Sequence, residues 1–186
     1  MIKTFINPKS IIKAKNVKFG YGTRINGEII IHGKGSVNIG KYCAFGYGIK
    51  IICTNHDTSF ANQQLYLQRF IKGKEIEFSK KNSKNSFSVS IGNNVWIGNN
   101  VVITSGVNIG DGAVIGAGSV VTKNLEPFSI NFGIPAKKAK YRFSKKARDY
   151  LKKIKWWVWS IKKIKRNKEF FNVNFSNSNF KKPIIK

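Results

Sequence analysis

The sequence predicts an all-β solenoid, interrupted by a long excursion over 54–88 and followed by a basic helical tail, and three observations carry that reading. The aliphatic residues Ile91, Ile97, Ile103, Ile109, Ile115 and Val121 recur at every sixth position. Each is followed by Gly or Thr (Gly92, Gly98, Thr104, Gly110, Gly116, Thr122), and two positions earlier stands Val89, Val95, Val101, Val107, Ala113 or Ser119. Charge avoids this stretch: Asp111 and Lys123 are its only charged residues between Val89 and Leu125. Neither a helix nor an alternating strand has a period of six, whereas short fixed self-similarity is the signature of a solenoid.

The hexad has a physical logic. The aliphatic residue fills the interior of a narrow prism, and the position after it has little room for a side chain. Asn93, Asn94, Asn99, Asn100, Asp111 and Gly112 then supply the left-handed conformations a corner needs. Three short strands and three corners make one triangular coil, and coils stack at about 4.8 Å with backbone hydrogen bonds running between them. Upstream the period returns at Phe19, Ile25 and Ile31, slips by two residues through Gly33, Lys34 and Gly35, and resumes at Ile39, Phe45 and Ile51. Twelve hexads predict about four coils. The period fails over 54–88, and loops longer than about 15 residues in a compact fold are usually functional or disordered. In the tail, Ser144 is placed to cap a helix, and Ala147, Tyr150, Leu151, Ile154, Trp157 and Val158 fall at helical spacing. After about Arg166 the sequence reads as polar and irregular, and mobile at its end. Two units follow: the repeat with its excursion over 1–140, and the basic helix and tail over 141–186.

Composition narrows the function. With 41% hydrophobic and 13% aromatic residues the chain is not disordered as a whole. Cys43 and Cys53 lack C-x-x-C spacing and read as free thiols. No apolar run approaches the roughly 18–20 residues of a membrane span, and MIKTFINPKSIIK has no apolar core of a signal peptide, so a cytoplasmic protein is expected. The net charge of +26 points to an anionic partner: nucleic acid, a membrane surface or a charged small molecule. Its distribution argues against nucleic acid, because it spares the repeat and gathers in the tail, where sixteen basic residues between Lys140 and Lys186 face Asp149 and Glu169. The chain is rich in Lys, Asn and Ile together, a bias that AT-rich codons alone can generate, and charge without a role is the plain alternative.

The hexads, the His-bearing excursion and the segment Gly133, Ile134, Pro135, Ala136 together resemble the hexapeptide-repeat acyltransferases, whose fold is a left-handed parallel β-helix. Within them the chain looks most like the xenobiotic acetyltransferase group, which includes streptogramin and type B chloramphenicol acetyltransferases, through Arg142, Phe143, Trp156, Trp157 and Trp159. Where that group often has Pro after the third Trp, this chain has Ser160, and its excursion is richer in lysine. The resemblance implies a homotrimer with sites between subunits, acetyl-CoA as co-substrate and no metal. It implies an O-acetyltransferase whose acceptor is a saccharide hydroxyl or, as the alternative, an antibiotic hydroxyl.

The resemblance also implies roles. His56 matches the general base, since a neutral imidazole can take the proton of an attacking hydroxyl. Asp57 is a candidate to orient that ring, and Asn26 and Trp96 to flank the acceptor. Asn99, Ala117 and Thr122 match positions along the coenzyme arm; Lys123, Lys137 and Lys140 match positions that meet the coenzyme, the last two near its phosphates. His32 reads as structural. Only two histidines in the chain weigh against the three-histidine zinc site of γ-type carbonic anhydrases, which share the fold. A non-enzymatic basic scaffold is the remaining alternative, and peripheral contact with an anionic membrane is compatible with either.

Overall fold

The computed structural model describes residues 3–56, 58–72, 87–177, 180–183 and 185. Its strands are β1 (Phe5–Ile6), β2 (Ile11–Phe19), β3 (Arg24–Ile25), β4 (Ile29–Ile39), β5 (Ala44–Phe45), β6 (Ile49–Ile52), β7 (Val89–Ile91), β8 (Trp96–Ile97), β9 (Val102–Ile103), β10 (Asn108–Ile109), β11 (Val114–Ile115), β12 (Val120–Val121), β13 (Ser129–Gly133) and β14 (Ala136–Tyr141). The helices are α1 (Leu65–Phe70), α2 (Lys145–Ile154), α3 (Ile161–Arg166) and α4 (Lys168–Asn172), with a 3₁₀ turn at Trp156–Val158.

These strands form a parallel β-solenoid with three faces. On face A, β1, β3, β5, β8, β11 and β13 stack in parallel, and β14 closes the stack antiparallel to β13. β2 and β4 are long enough to serve two faces. Their first halves, with β6, β9 and β12, make face B; their second halves, with β7 and β10, make face C, where Ile109 bridges Leu125. Face A thus has six parallel levels where the hexads predict about four coils. The extra levels come from β1, which lacks a hexad signature, and β13, which arrives 16 rather than 18 residues after β11.

The recurring aliphatics form the core as expected. Ile25, Phe45, Ile97 and Ile115 stack inside face A, Ile31, Ile51, Ile103 and Val121 inside face B, and Ile39, Ile91 and Ile109 inside face C, all buried. The small residue that follows is demanded by the contact between coils. A Cβ on Gly40 would sit 2.5 Å from the Gly92 carbonyl oxygen, and one on Gly92 2.7 Å from the Asp111 nitrogen. The paired asparagines divide their work. Asn94 and Asn100 take the left-handed conformation, at φ 53° and 56°. Asn93 and Asn99 instead lend carboxamide oxygens to the coil beneath: Asn93 Oδ1 accepts from the Lys41 N–H and Asn99 Oδ1 from the Tyr47 N–H, both at 2.9 Å.

The slip at 33–35 is a platform for the excursion. β4 runs straight through it, and a Cβ on Gly33 would meet Cys53 carbonyl carbon at 2.5 Å, one on Gly35 the Phe87 oxygen at 2.3 Å. Entry and exit of the excursion therefore rest on two residues that only glycine can be. His32, on face B, lies in register with Lys13 and Ile52. Within the excursion the structure adds the helix α1, and the lysine-rich part, 73–86, lies outside the described residues.

The C-terminal part departs from expectation in two ways. The helix begins as expected, with Ser144 Oγ accepting from the Ala147 N–H, but it stops at Ile154 because Lys155 turns left-handed at φ 45°. The apolar spacing through Trp157 and Val158 belongs to the separate 3₁₀ turn. The chain after Arg166 is also more ordered than its composition suggests: α4 follows, and Phe170, Phe175 and Phe180 are buried with Phe128, Ala147, Leu151 and Trp157. Phenylalanines five apart match neither helix nor strand period, so the sequence carries no signal for this cluster.

Two bulky residues join cluster and prism. Tyr42 and Phe128 occupy the corner position held elsewhere by Gly22, Asn94 and Gly112, and both are left-handed, at φ 55° and 59°. That conformation costs a side-chain-bearing residue roughly 1–2 kcal/mol. Here it turns the Tyr42 ring toward Trp156, 5.1 Å between centroids, and buries Phe128 6.5 Å from Trp157. Burying a Phe side chain contributes about 1.5–3 kcal/mol, enough to offset the strain. Ser160, the departure from the family pattern, caps α3 by accepting from the Lys163 N–H. Its φ of −65° and the extended Trp159 before it suit proline equally well, so the loss of a cap and the gain in chain stiffness nearly cancel between the two residues.

Candidate active site between edges of the prism

The candidate residues fall on two edges of the prism. Asn26, Asn99 and Ala117 sit on the corner between faces A and B, after β3, β8 and β11, with Tyr47 after β5 on the level between Asn26 and Asn99. There the Asn26 N–H donates to Phe45 O at 3.3 Å and the Gly118 N–H to Asn99 O at 2.8 Å. Trp96 is the last outward residue of face A before that corner, between Ala44 below and Val114 above, and is 55% exposed. His56 lies beyond the far end of face B, just after β6, where the excursion leaves the corner between faces B and C; it is exposed, and its backbone N–H donates to Asn55 Oδ1 at 2.9 Å. Thr122 and Lys123 occupy that same B–C corner at the level of β12. Asp57 lies outside the described residues.

The width of face B separates the two groups. A strand of four residues such as β6 spans about 13 Å at 3.3 Å per residue, whereas a general base must come within about 3 Å of the proton it takes. One copy of the chain therefore does not assemble His56 with Trp96, Asn26 and Asn99 along its own surface.

Lys137 and Lys140 project from β14 at the top of face A, in register with Phe132 and Ile130. Among the described residues neither has an ion pair. Lys138 between them is committed: it pairs with Glu126 at 2.6 Å, and Tyr141 also donates to that carboxylate. The hydrogen bonds from Lys138 and Tyr141 hold Glu126 below the usual carboxylate range. Lys140 and Trp96 share a cavity of about 580 Å³ with Val114, Ile130, Tyr141 and Arg142, within the range of small-molecule sites. Arg142 Nη1 donates to Gly112 O at 2.8 Å, and burial lowers its pKa from the ordinary guanidinium value.

Tyr47 and Phe132, which the sequence does not mark as site candidates, expose 58% and 55% of their surface along the A–B corner. Their signal is an exception within the repeat: Tyr47 holds the hexad position of Asn99 and Ala117, and Phe132 that of Gly98 and Gly116.

The family model for bacterial transferase hexapeptide (six repeats) matches residues 88–123. A probable macrolide acetyltransferase of Lysinibacillus sphaericus is 40% identical over 133 residues, covering 70% of this chain and 74% of that protein. The chain belongs to the hexapeptide-repeat acetyltransferase family. A chloramphenicol acetyltransferase of Klebsiella aerogenes is 37% identical over 129 residues, and the match spans 68% of this chain but 61% of that relative's length. Among solved structures, a maltose O-acetyltransferase from Clostridium difficile 630 superposes with a TM-score of 0.55 at 29% identity, covering 76% of this chain and 66% of that one.

In this member of the family, Arg142, Phe143, Trp156, Trp157 and Trp159 are packing residues. They dock the C-terminal cluster on the C–A corner, where Gly112, Phe128 and Tyr42 receive them.

Proposed function

We propose that this chain is an acetyl-CoA-dependent O-acetyltransferase that works as a homotrimer, with each site formed where the excursion of one copy meets the A–B corner of the next. The observation that carries this reading is the separation of His56 from Trp96, Asn26 and Asn99 across face B. The base and the acceptor wall meet only when a second prism brings its own corner alongside.

The chemistry then follows from the residues. His56 takes the acceptor hydroxyl proton as the oxygen attacks the acetyl carbonyl carbon. The tetrahedral oxyanion collapses, the C–S bond breaks, and the thiolate leaves with the proton that His56 returns. When bound, acetyl-CoA supplies the activated acetyl group. Ala117 and Thr122 allow close approach of its arm, and Lys123, Lys137 and Lys140 offer cations to its phosphates.

The acceptor we favour is a saccharide. An exposed indole on the edge that also carries Asn99 at its own level and Asn26 two levels away suits a sugar, with its apolar C–H face and its ring of hydroxyls, and the maltose O-acetyltransferase is a structural relative. The second reading, an antibiotic hydroxyl, is favoured by the names of the relatives at 37% and 40% identity. Coenzyme thiol release from acetyl-CoA, followed with maltose, a galactoside, chloramphenicol or no acceptor, separates them. Release with a saccharide and none without acceptor is expected. Release with chloramphenicol alone makes the second reading the right one, and no release with any acceptor counts against acetyl transfer itself.

A further inference from the structure

The chain's charge is concentrated where the proposed chemistry does not use it. Between Lys145 and Lys168 stand eleven Lys and Arg residues and one acidic residue, Asp149, which is already paired with Lys145 at 2.8 Å. α2 and α3 present most of these cations to solvent; Lys152, Lys153, Lys155, Lys162, Lys165 and Arg166 are exposed. The same surface carries an apolar ridge. Val158 is 62% exposed and Phe171 43%, and Trp156 and Trp159 are half-buried beside Phe171, at 5.2 and 6.5 Å between ring centroids. Lys163 Nζ lies 5.1 Å over the Trp159 ring, an ammonium placed at the rim of the aromatic band. Trp156 and Phe171 also line a cavity of about 440 Å³ with Phe128, Phe143 and Phe175.

We propose that this surface docks the protein peripherally on an anionic phospholipid bilayer. Exposed apolar tips ringed by lysines match the interface of such a membrane. Tryptophan and phenylalanine settle at headgroup level, lysine stems lie along apolar surface, and each cation near the surface contributes about 1 kcal/mol. The contact is peripheral, for among the described residues no helix is long and apolar enough to cross a membrane. A second copy bound through the same face is a poor occupant, because it would bring an equally cationic surface. Nucleic acid would satisfy the charge but not the ridge, since phosphates offer nothing to Val158 and Phe171.

The test is co-sedimentation of the full chain with vesicles of phosphatidylcholine alone or with about 30% phosphatidylglycerol. Binding is expected only to the anionic vesicles, and about 0.5 M salt should remove most of it. The Lys162→Glu, Lys165→Glu double variant should weaken it about tenfold or more. Val158→Asp should weaken it measurably while the thermal melt stays at the wild-type position, because the side chain is exposed. Three results overturn the proposal: no sedimentation with anionic vesicles at low salt, vesicle binding indifferent to Val158→Asp, or a duplex oligonucleotide that strips the protein from vesicles at equal phosphate. Acetyl transfer to a soluble acceptor is independent of these residues, so its success or failure is read separately.

Discussion

Replacing His56 with Ala is expected to leave the thermal melt unchanged and to lower acetyl transfer by about 10²–10⁴-fold, the usual contribution of a positioned general base. The side chain is exposed and outside the packed core, so its removal leaves no cavity. An acceptor hydroxyl is far too weak an acid to ionise by itself near neutral pH, and the chain has one other histidine, His32, set on face B in register with Lys13 and Ile52 rather than in the excursion. His32→Ala should therefore retain transfer. Equal loss in both variants would remove His56 from the role of base.

The largest effect on stability is expected at Gly40. The Gly40 N–H donates to Ile91 O at 2.8 Å, and its carbonyl accepts from Thr23 Oγ1 at 2.7 Å. In Gly40→Ala the new Cβ would stand 2.5 Å from Gly92 O, and the obstruction is backbone that cannot rotate away. The coils must part, and neighbouring bonds in a buried ladder are lost. A cost of about 3–5 kcal/mol, or failure to fold, is expected in urea unfolding, well above the ordinary surface substitution. Gly118→Ala is the control: nothing lies within 4 Å of its Cβ, although its φ is 70°. It should cost only the roughly 1–2 kcal/mol of left-handed backbone. Equal costs would mean that the coils yield to a methyl group and that contact between them does not set the hexad's small position, since the Gly40 backbone is not left-handed.

The contrast between these glycines shows what in the fold is legible in sequence. A repeat imposes the same packing problem at each level, so Ile97, Gly98 and Asn100 announce their roles through Ile115, Gly116 and Gly118 one coil later. Where the solution is used once, the signal disappears. Tyr42 and Phe128 sit left-handed in a column of Gly and Asn, and only the aromatic cluster they receive explains them. Phe170, Phe175 and Phe180 have no common period because they pack from a helix, a turn and an irregular segment. The slip at Gly33 and Gly35 looks like an error in the repeat until Cys53 and Phe87 are seen resting on it. The candidate site was legible as a set of residues but not as a place, because its members occupy two corners of one prism.

That division makes the shared site testable by mixing copies. His56→Ala subunits keep the A–B corner, and Trp96→Ala subunits keep the excursion. Unfolding the two together and refolding them as mixed assemblies should restore transfer that neither variant shows alone, because some interfaces then pair an intact His56 with an intact Trp96. Mixed assemblies as inactive as their parents would contradict the account, placing base and acceptor wall in a single chain.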